Sequence, residues 1–118
     1  MLLAYNSIRG DYTSMPDWAD LAQDKARQGK VRLSHHAQVE RLKESISTND
    51  IVDALQDGQG VEAYPHDPRG SSALIAGQDK QVRWIHLVCG NLGQEYLLLV
   101  TVYIPQPPRW RDPFTRGG

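Results

Sequence analysis

The chain has one cysteine, no apolar run long enough to span a bilayer, and no excess of positive charge, and each shortage excludes something. With Cys89 alone, no intrachain disulfide can form. A domain of this size without a disulfide framework fits a reducing cytoplasm. The longest apolar run, Tyr96 to Ile104, is strand-length, and a membrane helix needs about 20 residues. The opening Met1-Leu2-Leu3-Ala4-Tyr5 lacks the basic start and length of a secretory signal. A soluble cytoplasmic protein with no membrane contact is therefore expected. Lys and Arg number 13 against 14 Asp and Glu, a formal net charge of -1. That balance argues against strong non-specific binding of nucleic acid, where phosphate contacts dominate affinity, while leaving room for a local basic patch. Zinc spacings are missing too: there is no Cys-x-x-Cys, and His35 and His36 are adjacent, so they diverge on a helix. Gly58-Gln59-Gly60 lacks the lysine and helix of a phosphate-cradling loop. No metal or cofactor is expected.

What is present reads as one α+β domain, because 118 residues leave room for a single core. Residues 1 to 13 carry no assignable pattern. Ser14-Met15-Pro16-Asp17 is a helix start, and Trp18, Leu21, Ala22 and Ala26 follow at helical spacing up to a stop at Gly29. A polar bridge, Gln28 to Arg32, separates this extension (residues 1–30) from the main domain (31–118). Ser34 opens a second helix and Ser47-Thr48-Asn49-Asp50 a third, which Gly58 ends. Beyond Gly60 the period shortens to two. Val61–Tyr64, Ser72–Ala76, Gln81–Cys89 and Tyr96–Ile104 read as four strands joined by turns, an antiparallel meander. In the third, Trp84, His86 and Val88 share one face, and Ile85, Leu87 and Cys89 the other. Pro105, Pro107 and Pro108 bar further central strand, so the tail should cross the surface, anchored by Trp110 and Phe114.

Leu33-Ser34-His35-His36-Ala37, Ile46-Ser47, the Tyr64-to-Gly70 loop, Trp84-Ile85-His86-Leu87-Val88, and Val100-Thr101-Val102-Tyr103 followed by Trp110 and Arg116 occur in order. This set resembles the domain-of-unknown-function 4258 family over about residues 31 to 116. The resemblance implies a fold like that of RelE-type toxins and barnase-like nucleases: N-terminal helices followed by a curved four-stranded antiparallel sheet. It also implies a metal-independent endoribonuclease of toxin type, with RNA as substrate and a cognate antitoxin or other protein as partner. The sequence departs from the family at Glu40 and Glu44, where arginines are usual; Arg41 is one position off, about 100° away around an ideal helix.

Metal-free RNA cleavage needs a group to take the 2′-hydroxyl proton, another to protonate the leaving oxygen, and positive charge at the phosphate. Histidine suits the first two because its ordinary pKa lies near neutrality. The catalytic candidates are His36 and His86, supported by Tyr103 and Arg116; Arg69, Thr101 and Arg109 are candidates for holding substrate. Each has a plainer reading: a structural strand histidine, a helix-start histidine, strand residues, or a tail arginine. The alternative function is a non-catalytic protein-interaction module that retains the fold, with a homo-oligomer through the first helix among its forms.

Overall fold

The computed structural model describes residues 15–68 and 70–118, with side chains from Trp18 onward. The expected cap at Ser14 and the substrate candidate Arg69 lie outside the described residues. Three helices, α1 (Met15–Arg27), α2 (His35–Lys43) and α3 (Thr48–Gln56), interleave with strands β1 (Val31–Leu33), β2 (Gln59–Tyr64), β3 (Ser72–Gln78), β4 (Trp84–Gly90), β5 (Leu97–Tyr103), β6 (Trp110–Asp112) and β7 (Thr115–Arg116). The class is α+β, as expected. The sheet, however, has five strands in the order β1-β5-β4-β3-β2, with β1 parallel to β5 and the other pairs antiparallel, so it is mixed rather than a four-stranded antiparallel meander. The added strand comes from the segment expected to be a polar bridge. Three residues with Arg32 at the centre carry almost no local strand signal, and pairing with Leu97–Leu99 creates the strand. The tail likewise folds into a separate β6–β7 hairpin.

Local chemistry accounts for the helix boundaries. The Ser34 hydroxyl accepts from Ala37 N (3.0 Å) and caps α2. Ser47 and Asp50 close a reciprocal capping box on α3, at 2.9 and 2.8 Å. Gly29, with φ of 71°, takes the left-handed turn that ends α1. The sheet strands alternate as the pleat requires. Ile85, Leu87, Cys89, Leu97, Leu99 and Val102 face the helices and form one core with Ala22, Ala37, Ile51, Ala54 and Leu55. Burying each Leu or Ile side chain there contributes about 1.5–3 kcal/mol. Ala22 and Ala26 of α1 belong to that same core, so residues from the expected 1–30 extension pack with the main domain. Cys89 is fully buried, as its strand position suggested, and burial pushes its thiol up to about 12. Helix α3 lies directly on β3: a Cβ on Gly77 would sit 1.8 Å from the Ala54 carbonyl oxygen.

Two clamps fix α2 along β5. At its N-terminus Ser34 N donates to Leu99 O (3.0 Å) and the Ser34 hydroxyl donates to Val100 O (2.9 Å). At its C-cap the Glu44 carboxylate accepts from Ile104 N at 3.2 and 3.3 Å. On the far face of the sheet, β6–β7 lies over β4, with Phe114 edge-on to Trp84 at 5.2 Å.

Candidate functional site

The register of β4 and β5 sets His86 directly opposite Tyr103, and Val88 opposite Thr101, so His86, Thr101 and Tyr103 share the face opposite Ile85 and Leu87. His86 is fully buried there. Its Nε2 lies 2.7 Å from the carbonyl oxygen of Pro113, which can only accept, so Nε2 carries the proton. In the neutral ring Nδ1 then accepts from the Tyr103 hydroxyl at 3.0 Å. The Trp110 ring meets the imidazole edge-on at 4.5 Å and Tyr103 does so at 5.2 Å. Burial is the largest influence and lowers the His86 pKa from 6.5; the Pro113 bond and Glu62 oppose it, and Arg116 adds to it. With both nitrogens engaged beneath the hairpin, His86 holds Tyr103 in place and has no free nitrogen to offer a substrate.

Arg116, expected to be a catalytic support or a frayed terminus, is neither free nor frayed. Its guanidinium grips Glu62 with two bonds of 2.7 and 2.8 Å and stacks 4.7 Å over the Trp110 ring. The Tyr64 hydroxyl donates to the same carboxylate at 2.6 Å. The Arg116 hydrogen bonds are the largest influence on Glu62, whose pKa falls to about 2 despite burial. Burial and that carboxylate push Tyr64 up to about 12. This cluster latches the hairpin to the sheet edge.

The other candidates meet in a cleft of about 460 Å3 between α2, the end of β5 and the segment that follows it. It is lined by His36, Glu40, Thr101, Tyr103, Gln106, Arg109 and Trp110, with Ile104 and Pro107. His36 and Glu40 are one turn apart and so lie on one helix face. Glu44 continues that column, and its bond to Ile104 N orients the face toward β5. Arg41 turns elsewhere, donating to Gln38 (2.7 Å) and Ile46 O (3.3 Å). His36 and Arg109 are exposed, whereas Tyr103 is half-buried with a pKa raised mainly by burial. The cleft therefore gathers an imidazole, a carboxylate, a phenol and a guanidinium around one solvent-accessible space.

Of the seven residues singled out by sequence, His36, Thr101, Tyr103 and Arg109 line the cleft. His86 stands behind Tyr103, Arg116 lies across Trp110, and Arg69 is not among the described residues. Glu40 departs from the arginine usual in the family; its spacing of four from His36 is the signal that places it beside that residue. Gln106 and Trp110 also belong to the lining, and nothing local marked them for it. A slightly larger concavity, about 480 Å3, lies on the same sheet face among Tyr64, Ser72, Val88, Leu98 and Val100, and it is poorer in groups that move protons. Among the described residues no group of His, Cys, Asp and Glu side chains is arranged to hold a metal ion, and no helix is long and apolar enough to cross a membrane.

Neither curated proteins nor solved structures provide a match for this chain. The stretch from the end of β1 to just past β5 does have one. It carries His36, Glu40, His86, Thr101 and Tyr103 and stops short of Arg109, Trp110 and Arg116. Over those residues, 33–104, the sequence matches the family model described as a domain of unknown function, DUF4258, and the chain belongs to that family.

Proposed function

We propose that the protein is a metal-independent endoribonuclease whose reaction takes place in the α2–β5 cleft. The observation that carries this reading is the convergence there of His36, Glu40, Tyr103 and Arg109. In the proposed reaction the Glu40 carboxylate takes the proton of an RNA 2′-hydroxyl. The freed oxygen bonds to phosphorus, the bond from phosphorus to the 5′-oxygen breaks, and His36 delivers a proton to that oxygen. The products are a 2′,3′-cyclic phosphate and a 5′-hydroxyl. Arg109 offers a guanidinium fork to the phosphate as charge builds on it, and Thr101 borders the same space. Tyr103 stands at the cleft wall, oriented by His86 from beneath. The reading includes kinship with RelE-type toxins and a partner that restrains the activity, on the strength of the family resemblance alone.

The test is cleavage of a labelled RNA pool in EDTA. His36→Ala and Glu40→Gln, both changes at accessible side chains, are expected to lower the rate about 10²- to 10⁴-fold each without changing the unfolding midpoint. Arg109→Ala is expected to lower kcat as well as to raise KM, because its guanidinium meets the phosphate both on binding and as charge builds. Absence of cleavage by the unaltered protein at high concentration would refute the reading.

One feature favours a second function, that of a protein-interaction module. Helix α2 leaves Leu42 66% exposed and Val39 36% exposed, three residues apart on one side. Growth arrest on expression would distinguish the ribonuclease from a binding module that lacks the chemistry.

A further inference from the structure

The second concavity of the sheet adjoins the cleft through an irregularity in β5. Val88, Leu98 and Val100 stay half-buried outside the helix-side core, and with Tyr64 and Ser72 they border a space of about 480 Å3. Thr101 pairs with Val88 and Leu99 with Cys89, so Val100 has no partner on β4 and forms a β-bulge. In a regular strand Val100 and Thr101 would point to opposite faces. The bulge turns both to one face, so Val100 lines the concavity and Thr101, the next residue, lines the cleft. Their Cα atoms are about 3.8 Å apart.

The lining sorts what can enter. Asp67 is the only charged group among the described lining residues and, being acidic, disfavours a phosphate there. Asn91, held at a φ of 56° where β4 ends, brings a side-chain amide that both donates and accepts. Cations stand outside, toward the two ends of β5. Arg109 is in the cleft, and Arg32, opposite Leu98, lies 4.1 Å over the Tyr96 ring. An uncharged, flat and largely apolar group between anionic ones fits that order.

We infer that the concavity is the nucleobase subsite of the cleft, receiving the base of a nucleotide next to the scissile phosphate. This deepens the ribonuclease reading and rests on it for the phosphate to which the base is joined. The base lies against Val88, Leu98 and Val100, beside the Tyr64 side chain, whose hydroxyl is tied to Glu62 at 2.6 Å. Its polar edge meets the Asn91 amide, while the phosphate stays on the Thr101 side with Arg109. The substrate is therefore single-stranded at the cut, because a paired base would first have to leave its stack.

The test uses the full chain with 13C-labelled valine and leucine methyl groups, assigned through Val88→Ile, Leu98→Ile and Val100→Ile. The probes are adenylyl-adenosine and uridylyl-uridine, 2′-O-methylated so that they bind without being cleaved. Ring currents from a seated base are expected to move the Val88, Leu98 and Val100 signals, with saturation, for at least one probe. Replacing one base of that probe by hydrogen should abolish the shifts on one side of the phosphate and spare them on the other, which identifies the seated nucleotide. Asn91→Gly, which suits the positive φ, should weaken the saturation constant roughly 5- to 30-fold. Methyl signals that stay in place with both probes, or that respond alike to the two base-free forms, overturn the inference; so does an unchanged constant in Asn91→Gly. Cleavage of ordinary RNA, measured beside it, separates the two claims. Cleavage with unmoved methyl signals rejects the subsite alone. Saturating shifts without cleavage keep the subsite and reject the ribonuclease.

Discussion

The coupling between His86 and Tyr103 can be measured without knowing the substrate. His86→Ala removes a fully buried ring and strands the Pro113 carbonyl, which accepts its 2.7 Å bond. Lost packing and an unmet acceptor together cost roughly 3–5 kcal/mol. Tyr103→Phe removes only the hydroxyl and leaves Nδ1 of a buried imidazole without its donor, at about 1–2 kcal/mol. In the double variant that nitrogen is already gone, so most of the second penalty disappears. The cycle should therefore show a coupling of about 1–2 kcal/mol. Urea unfolding reads it: with a slope of about 2 kcal/mol per M, His86→Ala should lower the midpoint by about 1.5–2.5 M. Additivity within about 0.3 kcal/mol would refute the described bond. A pH series adds a second check. Because burial lowers the folded pKa of His86 below 6.5, the unfolded chain takes up that proton first. The stability involved is fully present above pH 6.5 and is lost as the pH falls through the folded value. His86→Leu, which cannot take up the proton, should remove that part of the pH dependence.

Two further changes test the latch and the packing of the core. Glu62 is lowered from 4.5 to about 2 chiefly by Arg116, so its share of stability is present above pH 4.5 and lost as the pH falls toward 2. Unfolding midpoints across that window should flatten in Glu62→Gln; an unchanged slope would mean that the Arg116 pair does not persist in solution. Gly77→Ala forces a Cβ to within 1.8 Å of the Ala54 carbonyl oxygen, where only backbone could yield. A loss of about 3 kcal/mol or more in thermal or urea unfolding is expected, and a near-neutral result would mean that α3 does not sit so tightly on β3.

The elements legible in the sequence were those whose cause is local. Ser34 and Ser47 announce α2 and α3 because a cap needs only the residues beside it. The alternation through Trp84–Cys89 announces β4, with Ile85, Leu87 and Cys89 on the core face. Strand β1 was hidden because its three residues become a strand only by pairing with Leu97–Leu99. The β6–β7 hairpin was hidden by the preceding prolines, and what defines it, Pro113 on His86 and Arg116 on Glu62, spans 27 and 54 residues of sequence. At the cleft, the residue types of His36, Thr101, Tyr103 and Arg109 mark them as candidates from chemistry alone, and the fold brings these four together. Glu40 is legible only through its spacing of four from His36, since the family pattern has an arginine at its position. No pattern in the sequence could have revealed that His86 would have both nitrogens occupied, since one partner is a backbone carbonyl.

The parallel strand β1 also bears on the order in which the molecule assembles. Its partner is β5, and the Ser34 hydroxyl that follows it reaches Val100 O across 66 residues of sequence. The hairpins β2–β3, β3–β4 and β4–β5 close much shorter loops, so the entropy of loop closure favours them first. Docking β1 then belongs to the native side of the folding barrier, and with it the fixing of α2 along β5. Substitutions such as Ser34→Ala should speed unfolding while leaving the refolding limb nearly unchanged in a chevron experiment. A slowed refolding limb would place β1 in the nucleus instead. The cleft, whose two walls are α2 and β5, would accordingly be among the last parts of the molecule to form and among the first to open.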